Sequence, residues 1–396
     1  MPDQQPPISD ITVVELGHIV AGPFCGMILA DLGADVIKVE RPATGDMLRD
    51  SSELGNSTFD YLNRNKSSVT IDLKSEEGSA VFKRLIDEAD VVVENFGPQA
   101  TDRLGIGYDD LSKDREGLIY CSIKGFTPGP YEEYPALDPI AESLSGLMSV
   151  TGREDMPPVR SGTSIADMAA AMYAVIAILG ALRHREQTGE GAHLYSGLFE
   201  STVSLMGYWL AYTETYGKVP KPLGASHMNW SPYEVFRGID GTWVFIGPAG
   251  QAQWERMCHS LSLDDLLEDP RFETLADRRQ HNEELIDILR DRLSGYSSTE
   301  IVERLREVDV PVAPVNDIDD VLQDPHLDEI GMLQKIATTE GDGDEIRVPR
   351  YPIFSDGHEH APLRSPPALG EQTEAILSEL GFADDEIESL RTADVI

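Results

Sequence analysis

The sequence predicts an α/β protein in which a doubly wound, parallel sheet is followed by a second, smaller domain. Short apolar runs typical of buried strands alternate with helical segments up to about residue 125, which favours parallel pairing with right-handed crossovers. The composition then shifts towards Pro, Gly and Ser near Lys218. A chain of 396 residues is also longer than one hydrophobic core normally supports.

The first β-α-β unit is predicted from three consecutive segments. Asp10–Gly17 has the apolar run of a buried strand, His18–Gly33 has a glycine-containing turn with a short helix, and Ala34–Glu40 is a second strand. Ser75 followed by acidic residues is typical of a helix start, so an amphipathic helix begins there. Further strands are predicted at SSVTIDL (67–73), DVVVENF (90–96) and GLIYCSIKGF (117–126).

The later part of the chain has longer helices and fewer strands. A long helix is predicted at Ile165–Arg185, and Gly191–Tyr212 begins as a strand and continues as a helix. Gly238–Pro248 has the pattern of a hairpin, Glu345–Phe354 of a strand and Leu369–Phe382 of a helix. The predicted boundaries are 1–215 for the large domain, 216–325 for the small domain and 326–396 for a C-terminal segment.

The net charge is the most unusual bulk property of the chain. It is −38, from 70 acidic residues against 32 basic ones, and the acidic residues recur along the whole sequence. Nucleic-acid binding is excluded as a function class because phosphate contacts need clustered Lys and Arg. Salt screens the self-repulsion of such a surface. We therefore expect a halophilic protein from a high-salt cytosol.

Cysteine use and hydropathy predict a cytoplasmic protein. Cys25, Cys121 and Cys258 are far apart and lack metal-ligand spacing, which is typical of reduced thiols. The first ten residues have neither a basic segment nor an apolar stretch, so no signal peptide is expected. Met168–Leu182 approaches the length of a membrane span, but it is Ala-rich and flanked by an Asp and an Arg, so a buried core helix is favoured.

Common cofactor and catalytic motifs are absent from the sequence. The turn Gly17–Gly22, with Glu40 after it, invites a dinucleotide site, but the G-x-G-x-x-G spacing fails. Neither a P-loop nor G-x-S-x-G is present. His358–His360 holds two imidazoles without a third ligand nearby, so a surface turn is favoured over a metal site. We expect neither a metal nor a permanently bound cofactor.

Asp167 is a lone charge at the head of the apolar segment TSIADMAAAMYAVIAILGAL (163–182). Asp is favoured at a helix N-cap, where its oxygen accepts backbone N–H groups and complements the helix dipole. Such a carboxylate, ionised and poorly hydrated in an apolar wall, can also attack an electrophilic carbonyl without the general base that a Ser needs. The residues alone leave both roles open.

Long motifs along the chain are similar in order and spacing to one family, the family III CoA-transferases, which include formyl-CoA transferase and are related to acyl-CoA racemases. The resemblance implies a large Rossmann-like domain that residues 326–396 complete, a smaller α+β domain, and an interlocked homodimer. The motifs are ELGHIVAGPFCGMILADLGADVIKVERP, FDYLNRNKSSVTIDLKSEEG, ADVVVENFGPQATDRLGIGYDDL, YCSIKGF, TGREDMPPVRSGTSIADMAAAMYA, VPVAPVNDIDDVLQDPHL and APLRSPPALGEQTEAILSELGF.

The resemblance also implies the chemistry of the site. Asp167 matches the family's nucleophile, which passes through an aspartyl anhydride and an aspartyl-CoA thioester, with coenzyme A as an acyl-CoA co-substrate. For Lys124 a surface ion pair remains the alternative to a CoA contact. Contacts to CoA are implied for His18, Ile19, Val20, Ala21, Arg41, Ile71, Asp72, Leu73, Lys74, Asn95, Phe96, Gly97, Arg103 and Lys124.

Two departures from the family pattern bear on the acceptor. Val20 stands where formyl-CoA transferases have Gln, and Gly224–Phe236 stands where they have a run of glycines. Formyl transfer is therefore not expected, and Gly224, His227 and Asn229 are candidates to bind a different acceptor.

A third feature concerns the related racemases, which have a His base before an Asp. Here Leu137 precedes Asp138, so the base is missing, and Asp138 is either structural or lines the acyl pocket. We expect transfer of CoA from succinyl-CoA to a short dicarboxylic acid, such as mesaconate or a malate-like acid. The alternatives are a racemase, an intramolecular CoA mover, and a catalytically silent CoA-binding protein.

Overall fold

The structure is a computed structural model that describes residues 5–49, 51–339, 344–357 and 361–396. The chain divides into two compact units. The first contains Met1–Ser149, Arg160–Val219 and His326–Ile396, and the second contains Val150–Val159 and Pro220–Pro325. The segment His358–His360, for which the sequence favours a surface turn over a metal site, lies outside the described residues.

The first unit alternates strands and helices from its start, as predicted. The elements up to residue 216 are β1 (Thr12–Leu16), α1 (Ala21–Asp31), β2 (Asp35–Glu40), α2 (Glu53–Asn63), β3 (Ser67–Thr70), α3 (Glu76–Asp87), β4 (Val91–Glu94), α4 (Ala100–Leu104), α5 (Tyr108–Leu111), β5 (Ile119–Lys124), α6 (Asp138–Leu144), α7 (Leu147–Val150), α8 (Ile165–Thr188), β6 (Ala192–Gly197), α9 (Leu198–Leu205) and α10 (Gly207–Tyr216).

The remaining elements follow in chain order. They are β7 (Glu234–Arg237), β8 (Trp243–Ile246), α11 (Gln251–Ser260), a 3₁₀ turn (Asp264–Leu266), α12 (Leu275–Gln280), α13 (Asn282–Leu293), α14 (Ser298–Arg306), β9 (Val312–Pro314), α15 (Ile318–Leu322), α16 (Pro325–Glu329), β10 (Leu333–Ala337), β11 (Glu345–Pro349), α17 (Thr373–Glu379) and α18 (Asp384–Thr392).

Six strands form one parallel sheet in the order β3-β2-β1-β4-β5-β6. This is the strand order of a doubly wound Rossmann sheet, and it confirms the predicted parallel α/β architecture. The chain adds β2 and β3 on one side of β1 and then crosses back to add β4, β5 and β6 on the other side. The switch point of the sheet therefore lies between β1 and β4. A crevice opens at such a switch point beyond the carboxyl ends of the strands, where ligands bind in open α/β sheets.

Alternate residues of the central strands point to opposite faces of the sheet, and each face has its own core. Val13, Val91 and Val93 belong to the core that α1 and α8 cover. Val14 and Val92 belong to the core that α3, α17 and α18 cover. The C-terminal helices reach the sheet at β3, where Thr373 Oγ1 accepts the backbone N–H of Thr70 at 3.0 Å.

Helix α8 has the length and apolarity of a membrane span, and it is the one helix of the described residues that does. Its small residues Ala166, Ala170 and Ala174 are nevertheless fully buried in the first core. Ser196 of β6 also donates its hydroxyl to the carbonyl of Ala170 at 2.7 Å. Because small side chains let helix and sheet approach closely, α8 is a core helix of this fold.

The second unit has its own core. β7, β8 and β9 form a three-stranded antiparallel sheet. β7 and β8 do form a hairpin, but β7 lies before the predicted range Gly238–Pro248, which contains only the turn and β8. Trp254, Phe272 and Leu289 are buried among the helices that cover it.

Candidate active site

Two loops meet at the switch point between β1 and β4. His18 follows β1, and Asn95 follows β4. The side-chain oxygen of Asn95 accepts the N–H of His18 at 2.9 Å, and its amide donates to the carbonyl of His18 at 2.9 Å. A Cβ on Gly22 would lie 2.7 Å from the Cα of Gly17, so this close approach requires glycine.

A buried cluster of charges lies under the first loop. Lys38 donates to Glu15 at 3.0 Å and to the carbonyl of Gly17 at 2.7 Å, and its Nζ lies 2.9 Å from Asp46 Oδ2. Asp46 Oδ1 in turn accepts the N–H of Ile19 at 3.3 Å. Ile19 has a φ of +64°, an unfavourable value for a β-branched residue. The cluster therefore fixes a loop whose conformation is strained.

Asp167 lies in the first turn of α8, but it is not the N-cap, so that part of the prediction is wrong. The helix begins at Ile165, and Ser164 takes the N-cap position without a side-chain bond to the turn. The cap comes from Asp138 of α6, whose Oδ1 accepts the N–H of Ala166 at 2.8 Å and of Asp167 at 3.4 Å. The carboxyl of Asp167 is thus left for other contacts.

The environment of Asp167 opposes its ionisation. Burial, together with the nearby charge of Asp138, raises the pKa of Asp167 to about 7. The sequence led us to expect a carboxylate that is fully ionised at neutral pH, whereas the structure gives a group that titrates there. A carboxyl whose pKa is raised this way is also more basic, and hence a stronger nucleophile once ionised.

Asp167 lines a cavity of about 240 Å³ together with both loops of the switch point. The cavity brings together nine of the residues predicted for the site. Those residues are His18, Ile19, Val20, Ala21, Asn95, Phe96, Gly97, Lys124 and Asp167.

Three predicted residues line a second, open depression at the start of α3. Leu73, Lys74 and Arg103 lie there with Lys83, so three cations face one surface of an otherwise acidic chain. Ser75 caps α3 by accepting the N–H of Gly78 at 2.9 Å. Clustered cations at a helix start are suited to phosphate groups.

Other predicted residues have different surroundings. Ile71 is fully buried in the core, and the side chain of Asp72 accepts the N–H of Lys74 at 3.1 Å. Lys124 lines the cavity and forms a 2.7 Å ion pair with Glu94, which is fully buried, so the pair is not at the surface as the alternative prediction had it. Its contact with CoA stays a prediction. Arg41 is exposed just after β2.

The predicted acceptor-binding residues lie in the second unit, and Gly224, His227 and Asn229 are all exposed there. The ring of His227 stacks on Trp230, with 4.2 Å between ring centroids. Within the described residues, no group of three or more His, Cys, Asp and Glu side chains has the arrangement of a metal site.

Sequence reasoning missed several residues around Asp167. Glu132, Tyr134 and Leu137 line the cavity, and Glu142 accepts the N–H and the hydroxyl of Ser161 just before α8. The cavity residues lie in the segment YEEYPAL (131–137), directly before Asp138. This closeness to Asp138 in the sequence is the signal that could have found them.

Comparison with known proteins identifies the family and the fold. The sequence model of CoA-transferase family III matches residues 8–373. The chain is 34% identical to a succinate–glutarate CoA-transferase of Agrobacterium fabrum, over 96% of this chain and 97% of that protein. It is also 34% identical to a succinyl-CoA:mesaconate CoA-transferase of Haloarcula hispanica, over 94% of this chain and 96% of that protein.

A solved structure has the same fold. The crystal structure of a CAIB/BAIF family protein from Brucella suis superposes with a TM-score of 0.87, at 34% identity, over 95% of this chain and all of that one. Family match, identity and fold coincide over nearly the whole length. The chain therefore belongs to CoA-transferase family III and is a CoA-transferase.

Proposed function

We propose that this enzyme transfers CoA from succinyl-CoA to a short dicarboxylic acid, with Asp167 as the nucleophile. The observation that carries the proposal is that the Asp167 carboxyl lines the same cavity as the loops at His18 and Asn95. The names of the relatives from Agrobacterium and Haloarcula, which state succinate or succinyl-CoA and a dicarboxylic acid, support the choice of substrates.

The first half of the reaction exchanges the acyl group for CoA. The ionised carboxylate of Asp167 attacks the thioester carbonyl of succinyl-CoA, the C–S bond breaks, and CoA leaves as a thiolate. An anhydride now joins Asp167 to the succinyl group. The thiolate attacks the Asp167 carbonyl of this anhydride, which releases succinate and leaves an aspartyl-CoA thioester.

The second half repeats these steps with the acceptor. The acceptor carboxylate attacks the aspartyl thioester, so CoA thiolate leaves again and a new anhydride forms. The thiolate then attacks the acceptor carbonyl of this anhydride, which releases the new acyl-CoA and restores the Asp167 carboxylate. No net proton or electron is transferred, so the site needs no redox group and no general base.

Backbone dipoles at the start of α1 are placed to stabilise the oxyanions of these steps. Val20 and Ala21 line the cavity, and among the described residues no side chain caps the start of α1. Helix N-termini left uncapped present N–H donors and a partial positive charge. Donors fixed before the reaction lower the energy of developing negative charge.

The cations outside the cavity suit the remainder of CoA. Lys74 and Arg103, with Lys83 beside them, line the depression at the start of α3, and Arg41 is exposed after β2. We assign the phosphates of CoA to these side chains, because phosphate recognition depends on Arg and Lys. Gly224, His227 and Asn229 remain our candidates for binding the acceptor.

We further propose a homodimer in which apolar residues left exposed on α8 and α10 are covered by a second copy of the chain. Ile176 of α8 is 64% exposed and Tyr208 of α10 is 69% exposed. Met172 and Tyr173 of α8 and Leu210 of α10 are exposed as well. Large exposed apolar patches are rare on monomers. Light scattering in molar KCl should give the mass of two chains, and a monomer mass would contradict this proposal.

Trapping of the acyl-enzyme tests the proposed function. Succinyl-CoA followed by hydroxylamine should convert Asp167 to a hydroxamate, detected by peptide mass spectrometry in molar KCl. Because only the ionised carboxylate attacks and its pKa is about 7, the trapping rate should rise roughly tenfold from pH 6 to pH 8.

The same protein also separates the alternatives. An unmodified Asp167 contradicts the transferase mechanism, and binding of CoA without modification indicates a silent CoA-binding protein. Exchange of the α-hydrogen of an acyl-CoA with deuterium, in the absence of an acceptor acid, indicates a racemase. A panel of donor and acceptor acids then identifies the substrates by product mass.

A further inference from the structure

Helix α8 is joined to helix α6 at two points, on either side of its N-cap. Asp138 accepts the N–H groups of the first turn, as described above. Glu142 lies one turn after Asp138 on α6 and is fully buried. Its two oxygens accept the N–H of Ser161 at 2.8 Å and the hydroxyl of Ser161 at 3.0 Å. The chain entering α8 is therefore fixed to α6 both before the N-cap and within the first turn of the helix.

The two carboxyl groups on α6 are also neighbours, one turn apart on the helix. Asp138 Oδ2 is buried, and no N–H or O–H of the described residues donates to it. This oxygen is therefore uncompensated, and the nearby Glu142 carboxyl group raises the pKa of Asp138.

We propose that Asp138 is a positioning residue for the Asp167 nucleophile, because it caps the first turn of α8 from α6. The proposal rests on the proposed function of Asp167, but it is independent of the donor and acceptor acids. Asp138 binds the backbone of α8, and therefore fixes the direction in which the Asp167 side chain leaves the helix. It acts through Asp167, and no contact with substrate is assigned to it.

Asp138 also sets the conditions under which Asp167 is ionised. After burial, the charge of Asp138 is the cause that raises the pKa of Asp167. Burial and the neighbouring Glu142 carboxyl group raise the pKa of Asp138 itself to about 6. Four other titratable side chains line the same cavity as Asp167, namely His18, Lys124, Glu132 and Tyr134.

The variant Asp138→Asn tests the electrostatic part of the proposal. Asn keeps an oxygen for the cap, but it carries no charge. The pKa of Asp167 should fall by about one pH unit. Carbodiimide-driven amidation of Asp167, followed by peptide mass spectrometry from pH 4.5 to 8.5, measures its protonation without any CoA chemistry.

The variant Asp138→Ala tests the geometric part. It removes the oxygen that caps α8, so hydroxamate formation from succinyl-CoA should slow by roughly 10- to 100-fold. The affinity for CoA should stay the same, because Asp138 lies outside the cavity lining. If Asp138→Ala does not fold, Asp138→Gly and Asp138→Ser at reduced temperature replace it, since neither has a carboxyl oxygen placed to accept the N–H of Ala166.

Asp90→Asn is the matched control. Asp90 accepts the N–H of Thr12 at 2.8 Å at the amino end of the sheet, opposite the cavity, so its loss should leave the amidation midpoint unchanged. An unshifted midpoint in Asp138→Asn overturns the electrostatic part, and a wild-type trapping rate in Asp138→Ala overturns the positioning role. Wild-type protein that forms no hydroxamate overturns the proposed function instead, and the amidation midpoint still reports on Asp138.

Discussion

Asp167→Asn should abolish CoA transfer, with a loss of at least about 10⁴-fold in kcat, while the affinity for CoA is retained. The amide has nearly the shape of the carboxyl, so the cavity and the first turn of α8 stay as they are. What is lost is the oxygen nucleophile on which every step of the proposed reaction depends. Steady-state assay with succinyl-CoA, beside calorimetric titration of CoA, measures the two effects separately. An Asn variant with wild-type turnover would leave Asp167 without a catalytic role.

The same substitution should make the protein more stable at pH 8. Because the pKa of Asp167 is raised on folding to about 7, the folded state binds this proton more tightly than the unfolded chain does. Ionisation therefore costs stability as the pH rises from about 4 to 7, and the full cost is present above pH 7. Asn removes this cost, on the order of 2 kcal/mol after allowance for partial exposure to solvent.

Urea unfolding at two pH values measures the stability difference. The Asn variant should exceed wild type clearly at pH 8 and by much less at pH 4.5, because that pH lies roughly half a unit above the ordinary pKa of Asp and most of the cost of ionisation is still absent there. An equal gain at both values would mean that the effect comes from packing. The nucleophile is thus expected to be a group that the fold would be more stable without, as at many active sites.

The sheet could be predicted from sequence because its signals are local. Apolar runs such as the one in β4, glycine at the turns and Ser75 before α3 each act within a few residues, and the structure has elements at all of these places. A parallel, doubly wound arrangement follows from strand–helix alternation alone. The order of the six strands does not follow, because it depends on which strands pair across long separations.

The support of the site could not be predicted for the same reason. Asp167 lies at the head of an apolar segment, which suggested an N-cap, yet its helix is capped from a residue 29 positions away. Ser164 already occupies the cap position, and nothing local marks Asp138 as its substitute. Lys124 likewise pairs with Glu94, 30 positions earlier. Contacts of this kind arise from the fold and carry no short-range pattern.

Lys38→Met should lower the stability of the protein more than removal of any other single charge of the described residues. The ammonium group contacts Glu15, Asp46 and the carbonyl of Gly17, and the side chains of Lys38, Glu15 and Asp46 are fully buried. Although burial alone lowers the pKa of Lys38, the two carboxylates hold it above its ordinary value. Removing the cation leaves two buried carboxylates with one nearby counter-charge, Lys66, so the free energy of unfolding should fall by about 3–5 kcal/mol.

The same substitution should also weaken CoA binding, because the cluster fixes the loop that lines the cavity. Asp46 holds the strained Ile19, and Lys38 holds both Asp46 and Gly17. Urea unfolding and calorimetric titration of CoA measure the two losses, with Lys335→Met as the matched control. Lys335 pairs with Glu345 at the surface at 2.8 Å, and such pairs contribute less than about 1 kcal/mol.

Asp46→Asn extends the test of the cluster if Lys38→Met does not fold. The Asn side chain keeps an oxygen for the N–H of Ile19 but removes one of the charges that face Lys38, so a smaller loss of stability is expected, with the loop largely in place. A Lys38→Met protein as stable as the Lys335→Met control would show that the buried charges contribute nothing to the fold. Unchanged CoA affinity in a destabilised Lys38→Met protein would show that the loop keeps its strained conformation without them.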